Sequence, residues 1–251
     1  MPVNYDDRLY KAYAQGRALN DEQYAAWAAA FVRHLPATRP LRGVDVGAGT
    51  GRFTPFLADL VGGPVTGVEP SDRMREIAER AGHPQVRYLQ GNAESIPLAD
   101  DSVDFALLFL VWHHVADKAA AARELLRVVR PGGTLLLRSQ FADRMPDLWW
   151  LEAFPRGHEI DAALYQPLDV VLTTFGAAGW DFVALDEISE ASPGSRVGRL
   201  AKLKTRSLSL FAHFTEAEIE AGFAELERRV RADPDAPIPP AASDLVVLRA
   251  T

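Results

Sequence analysis

From residue 43 to residue 139, short apolar runs alternate with stretches whose apolar positions recur every third or fourth residue. Gly43–Val46, Val65–Val68, Val86–Gln90, Val103–Phe109 and Thr134–Ser139 lack regular polar alternation, as strands covered on both faces do. Leu57 and Leu60 mark a helix after the first run, and Asp72–Ala81 and Lys118–Val129 read as helices between later ones. Strands separated by helices predict a parallel sheet with helices on both faces. Upstream, Tyr24, Trp27, Phe31 and Leu35 share one face of a helix over Gln23–Leu35, which Asn20 and Gln23 open as a capping box. Pro36 and Pro40 break it.

After Ser139 the pattern changes. Phe141–Tyr165 is rich in aromatic residues and carries no strand signal. Leu168–Ala178 reads as a helix that starts behind Pro167 and stops at Gly179. Trp180–Ile188 is a strand, and Arg196–Leu210 and Glu216–Arg231 are two helices, the second opened by the box Thr215 to Glu218. Proline-rich Asp233–Pro240 ends that helix, and Leu245–Leu248 is a last short strand. The expected architecture is α/β: one doubly wound domain over 1–251 with a mostly parallel seven-stranded sheet. Its last two strands are 180–188 and 245–248, one of them antiparallel.

Composition narrows the chemistry. The formal charge is −7 over 251 residues and the bases are scattered, so a phosphate backbone is a poor partner and no nucleic acid is expected. Cysteine is absent, which removes disulfides, thiolate metal sites and a cysteine nucleophile. Met1 to Tyr10 carries Asp6, Asp7 and Arg8, unlike a signal peptide, and no apolar run approaches the roughly 20 residues that span a bilayer. The expectation is a cytoplasmic protein without a membrane partner, either a monomer or a homodimer.

The most informative residues are Val44-Asp45-Val46-Gly47-Ala48-Gly49-Thr50-Gly51-Arg52-Phe53, where a strand runs into a helix. Glycines there let backbone amides approach a ligand at a helix N-terminus. The dinucleotide fingerprint needs Gly or Ala where Arg52 stands, and an acid, Asp45, lies two residues before the first glycine. A carboxylate suits a ligand carrying an ammonium and a sulfonium better than a pyrophosphate. This segment resembles the first motif of class I S-adenosylmethionine-dependent methyltransferases, in the branch with ubiquinone and menaquinone biosynthesis enzymes and many natural-product enzymes. Val65-Thr66-Gly67-Val68-Glu69-Pro70-Ser71 is similar to the family's second strand, whose terminal acid holds the ribose. Gln90-Gly91-Asn92-Ala93-Glu94-Ser95-Ile96-Pro97 resembles the adenine loop, with Asn92 where Asp is usual. Asp101 to Phe105 with Trp112-His113-His114, and Leu125 to Gly133, resemble the fourth strand with its turn and the helix–turn before the fifth strand.

The resemblance implies S-adenosyl-L-methionine as cofactor, bound by Arg17, Asp45, Gly47, Ala48, Gly49, Gly51, Glu69, Pro70, Asn92, Ala93 and Phe109. Residues 41–140 would then be the cofactor-binding core. Residues 1–40 would form an N-terminal helical lid, and 141–251 the lid helices and last two strands. His113 and His114 are candidate general bases, with cofactor packing and structural hydrogen bonding as the competing reading. Arg17 is either a partner of the methionyl carboxylate or a surface residue. Trp112, Trp149, Trp150, Phe154 and Tyr165 either wall a substrate site or bind the lid helices to the domain. The expected reaction is methyl transfer to a small, largely apolar organic acceptor at oxygen or carbon, in bacterial secondary metabolism. A methyltransferase-fold protein with another reaction or a regulatory role stands as the alternative, followed by an NAD-dependent oxidoreductase; protein methylation is also open. No Asp-Asn pair follows the fourth strand, so no metal is expected.

Overall fold

The computed structural model describes residues 19–190, 194–206, 208–239 and 241–251. Helix α1 (Asp21–His34) opens on the expected capping box: the Asn20 side chain accepts from the Gln23 amide at 2.8 Å and Gln23 accepts from the Asn20 amide at 3.1 Å. Strands β1 (Gly43–Val46), β2 (Val65–Glu69) and β3 (Val86–Gln90) enclose helices α2 (Thr54–Val61) and α3 (Asp72–Arg80). Strand β4 (Val103–Phe109) ends in a short 3-10 turn, Trp112–His114, and α4 (Lys118–Val128) leads into β5 (Val129–Ser139). Then come α5 (Gly157–Ala163), α6 (Leu168–Ala178), β6 (Trp180–Glu190), α7 (Arg196–Lys204), α8 (Glu216–Ala232) and β7 (Ala241–Ala250).

The sheet has the order β3-β2-β1-β4-β5-β7-β6. Pairs among the first five strands are parallel, and β7 runs antiparallel to both β5 and β6. Alternating residues of the central strands explain the two covered faces. Ala106, Leu108, Leu135 and Leu137 pack with Ala121, Leu125, Val171 and Phe175, from α4 and α6. Phe105, Leu107 and Leu136 point the other way, into Trp27, Phe31, Leu57 and Val61 from α1 and α2. A third cluster lies in the segments after β5, where Trp150, Phe154, Leu203, Phe211, Phe223 and Leu226 pack together.

Three elements depart from the expected bounds. Strand β5 begins at Val129 because Val103 pairs with Val129 and Phe105 with Thr134, so Pro131, Gly132 and Gly133 form an irregularity inside a ladder. The helix expected over Arg196–Leu210 stops at Lys204. Arg206 then takes a left-handed φ of 53°, its guanidinium bonds both Glu216 oxygens at 2.8 and 3.0 Å, and the chain resumes as 3-10 helix at Ser209–His213. That turn delivers Leu210, Phe211 and Phe214 to the third cluster. Strand β7 starts at Ala241, since buried Ser243 and Asp244 are met by Arg138 at 2.7 Å and by Arg144 at 2.8 Å.

Phe154 sits at the centre of the third cluster, ringed by Trp150, Phe211, Phe214 and Phe223. Phe154→Ala is expected to lower the free energy of unfolding by about 3–5 kcal/mol in a denaturant titration. A loss below about 1 kcal/mol would mean that this core is loosely packed.

Candidate active site

The site is built where β1 and β2 end side by side. Strand β1 leaves the sheet at Val46, and the Gly47 and Ala48 amides donate to the Val68 carbonyl of β2 at 2.8 and 3.1 Å. The chain then turns back through Gly47, Gly49 and Gly51, all at positive φ (74°, 59° and 78°). A Cβ at Gly47 would stand 2.4 Å from Val111, and one at Gly51 2.4 Å from the Tyr88 hydroxyl. Only glycine satisfies both the backbone and the space.

Glu69 closes this turn. Its carboxylate is buried at the end of β2, one oxygen accepting from the Gly49 amide and the other from the Ser71 amide, each at 2.9 Å. Beneath the turn lies Asp45, also buried, accepting from the Thr54 hydroxyl at 2.7 Å. Burial pushes the Asp45 carboxyl up to about 6, against the pull of the Thr54 hydrogen bond and of Arg52. On the far side of β2, Asn92 and Ser95 exchange backbone hydrogen bonds of 3.3 Å, leaving Asn92 exposed and Ala93 buried. Glu124 on α4 accepts from the Ile96 amide at 2.7 Å. Glu94 accepts from the Ala116 and Asp117 amides at 2.9 and 3.2 Å, tying this loop to the segment after β4.

Strand β4 ends at Phe109, followed by Leu110 in the left-handed region at φ 60°. The Phe109 ring lies 4.0 Å from Phe53, with the guanidiniums of Arg52 and Arg138 at 5.6 and 5.7 Å from its centroid. A cavity of about 220 Å³ opens beside it, lined in part by Leu110, His113, Trp150 and Tyr165. The His113 ring lies between those of His114, at 3.9 Å and tilted by 44°, and Tyr165, at 4.8 Å and tilted by 55°.

The structure therefore brings Phe109, His113, Trp150 and Tyr165 together at one cavity. His114 supports His113 from outside the lining. Trp112 is not a wall of the cavity. Its ring packs on Phe175 at 4.6 Å under the sheet, and its indole N–H donates to Gln166. Phe154 is likewise spent on the third cluster, and Trp149 packs against that cluster and under the Arg196 guanidinium at 4.9 Å. For these three the packing reading of the aromatics is the one the geometry follows. Pro70 is exposed at the end of β2. Arg17 lies outside the described residues. Sequence reasoning missed Arg52, Arg138, Asp161, Arg199 and Lys202, all of which line the cavity. Of these, Arg138 gave a readable signal: a lone charge at the end of the run Leu135-Leu136-Leu137. Among the described residues, no group of three or more His, Asp or Glu is arranged to hold a metal ion. No helix among them is long and apolar enough to cross a membrane.

Comparison with known proteins follows this geometry. Residues 44–137 match the methyltransferase domain family. An uncharacterized methyltransferase of Mycobacterium tuberculosis is 42% identical over 124 residues, 49% of this chain and 47% of that protein. The chain thus spans about half the length of that relative. A demethylmenaquinone methyltransferase of Bacillus pumilus is 26% identical over 76% of this chain and 81% of its own. Among solved structures, a protein provisionally assigned as an antibiotic-pathway methyltransferase of Anabaena variabilis superposes with a TM-score of 0.69. It is 24% identical, with 89% of this chain and 99% of that one covered. The matched region, 44–137, contains the glycine turn, Glu69 and strands β1 to β4, and the likeness to the Anabaena variabilis structure extends to the fold of the whole sheet. The chain is thus similar to methyltransferases, demethylmenaquinone methyltransferases among them, over the region that holds the glycine turn. S-adenosylmethionine is the cofactor that the likeness to methyltransferases implies, and the residues present fit it: a glycine turn at the carboxyl end of β1 beside two buried acids.

Asp45 gives a stability test. Its carboxyl titrates near 3.8 in the unfolded chain and about 6 when folded, so as pH rises the unfolded form ionises first. Stability contributed below that window is lost on passing through it, by up to about 3 kcal/mol. Asp45→Asn removes this dependence. The unfolding free energy of the Asp45→Asn variant minus that of the wild type is expected to grow between about pH 4 and about pH 7. A difference that stays constant across that range would show that the carboxyl is not desolvated.

Proposed function

We propose that this protein transfers a methyl group from S-adenosylmethionine to a small organic acceptor in secondary metabolism, at oxygen or carbon. The observation that carries this reading is the buried Glu69 carboxylate locked to the glycine turn. A carboxylate at the end of the second strand can accept from two vicinal ribose hydroxyls at once, and its bonds to the Gly49 and Ser71 amides hold it in place for that. The turn, held at the carboxyl end of β1, would offer its backbone to the methionyl part, while Asp45 beside it favours a cationic over a pyrophosphate ligand. Asn92 and Ala93 offer an exposed amide and an apolar bed for adenine. Arg17, Gly47, Ala48, Gly49, Gly51, Pro70 and Phe109 complete the proposed cofactor shell.

When bound, the cofactor supplies an electrophilic methyl on a sulfonium. The protein's part is to hold the acceptor in line, keep water out and take a proton where the acceptor has one to lose. Phe109, Leu110, Trp150, Leu208 and Leu210 give the cavity its apolar wall. His113, cavity-lining and in tilted ring contact with Tyr165, is the proposed base, and His114 packs against its other side.

Two measurements test the reading. Calorimetric titration is expected to show binding of S-adenosylmethionine and none of NAD, with Glu69→Ala weakening the former by about tenfold or more. Binding of NAD alone would replace the reading with an oxidoreductase. Once an acceptor is found with labelled donor, His113→Asn is expected to lower kcat by about a hundredfold or more at unchanged cofactor affinity. Unchanged turnover would remove His113 as the base.

A further inference from the structure

Asp161 sits on α5, in the segments after β5, and lines the cavity beside Phe109. It is 5% exposed, as buried as Glu69, yet it is held differently. Glu69 accepts two backbone amides, and Asp45 accepts the Thr54 hydroxyl. Among the described residues, no hydrogen bond reaches the Asp161 carboxylate. The charge that acts on it is that of His158, an exposed residue three positions earlier on the same helix. Burial pushes the Asp161 carboxyl up to about 6, with His158 pulling the other way.

Burying a carboxyl without a hydrogen-bond donor is unfavourable, and an apolar residue at this position would carry no such cost. Ile160 and Leu164, its neighbours on the chain, do pack against the third cluster. A desolvated acid kept at a cavity wall is explained by a donor that arrives with the ligand. Leu148, Trp150, Leu208 and Leu210 give the same cavity an apolar part, which suits an alkyl or aryl body. An ammonium would lose its hydration on entering, at greater cost than a hydroxyl. A hydroxyl keeps its proton beside a carboxylate, since a phenol titrates only near about 10, and so it acts as a hydrogen-bond donor.

We infer that the acceptor carries a hydroxyl on an apolar body, and that this hydroxyl donates a hydrogen bond to the Asp161 carboxylate in the cavity. The inference rests on the methyl-transfer reading for what is done to the bound molecule, and on Asp161 and the cavity for how it is held. His113 lines the same cavity from the turn after β4, so binding and proton removal fall to different elements. Arg52, Arg138, Tyr165, Arg199 and Lys202 also line it. Of the elements packed on α5, Leu151–Ala153 brings Glu152, which bonds Arg229, and Ser209–His213 brings His213, which is exposed. Glu159 of α5 itself is exposed. Histidines as a class titrate in the same window as a carboxyl near 6, so a variant of Asp161 has to separate them.

The test uses the full chain, alone and with S-adenosylhomocysteine. Calorimetry compares 4-ethylphenol with its methyl ether, 4-ethylanisole, and with 4-ethylbenzylamine. At about pH 7.5 the phenol is expected to bind at least about tenfold more tightly than the ether, and more tightly than the amine. Asp161→Leu is expected to remove that preference and Asp161→Asn to reduce it severalfold. Both variants are expected to keep their S-adenosylhomocysteine affinity, which reports that they are folded. Lowering the pH to about 5 protonates the wild-type carboxyl and is expected to weaken phenol binding about fivefold or more, an effect absent from Asp161→Asn. A pH effect that survives in Asp161→Asn would belong to a histidine and overturn the inference. So would no binding of the phenol, equal affinity for phenol and ether, or tighter binding of the amine. A hydroxyl preference that depends on Asp161, in a chain that melts cooperatively but binds no S-adenosylhomocysteine, would keep the role of Asp161 and remove the methyl-transfer reading.

Discussion

The carboxylate of Glu69 is the constraint on which the site depends. It is buried at the end of one strand and accepts amides from the glycine turn and from the segment after its own strand. A buried carboxylate is costly unless hydrogen-bonded, and these two amides are backbone groups that would otherwise end a strand or a turn unpaired. The arrangement thus fixes three glycines at positive φ that would otherwise be among the most mobile residues of the chain. Asp45 adds a second acid below the same turn, and the field of the pair sets what can sit above it.

Around that turn, the sheet supplies rigidity and the later segments supply shape. The central strands carry apolar residues to both faces, so helices on either side hold the carboxyl ends of β1, β2, β4 and β5 in fixed relation. The segments after β5 owe their form to their own aromatic cluster rather than to the sheet. Such a division lets the cavity wall change without disturbing the turn, which fits a class of enzymes whose members share a cofactor and differ in acceptor. The basic residues at the cavity come from both: Arg52 from the glycine turn, Arg138 from β5, and Arg199 and Lys202 from α7.

Much of the fold was legible because local chemistry and tertiary structure agree. The capping boxes at Asn20–Gln23 and Thr215–Glu218 close as written, and Gly179 ends α6 in the left-handed region. The misread bounds fall where partners distant in sequence decide. Pro131-Gly132-Gly133 reads as a turn locally, yet Val103 holds Val129 in the ladder ahead of it. Arg196–Leu210 has continuous helical spacing, yet Glu216 captures Arg206 and breaks it.

The sequence alone determined the alternating α/β order, the glycine turn with its two acids, and the class of cofactor these imply. Each is a matter of residue type at short spacing, where the backbone's own geometry limits the outcome. Tertiary structure decided which aromatics face the cavity and which fill a core. Trp150 and Tyr165 line it, while Trp112, only a residue from His113, turns away to pack on Phe175. It also brought Arg52, Arg138 and the α7 pair Arg199 and Lys202 to one cavity, three places far apart in sequence that only the packing of the segments after β5 onto the strand ends makes neighbours. Electrostatic interaction depends on distance in space, which no local pattern records.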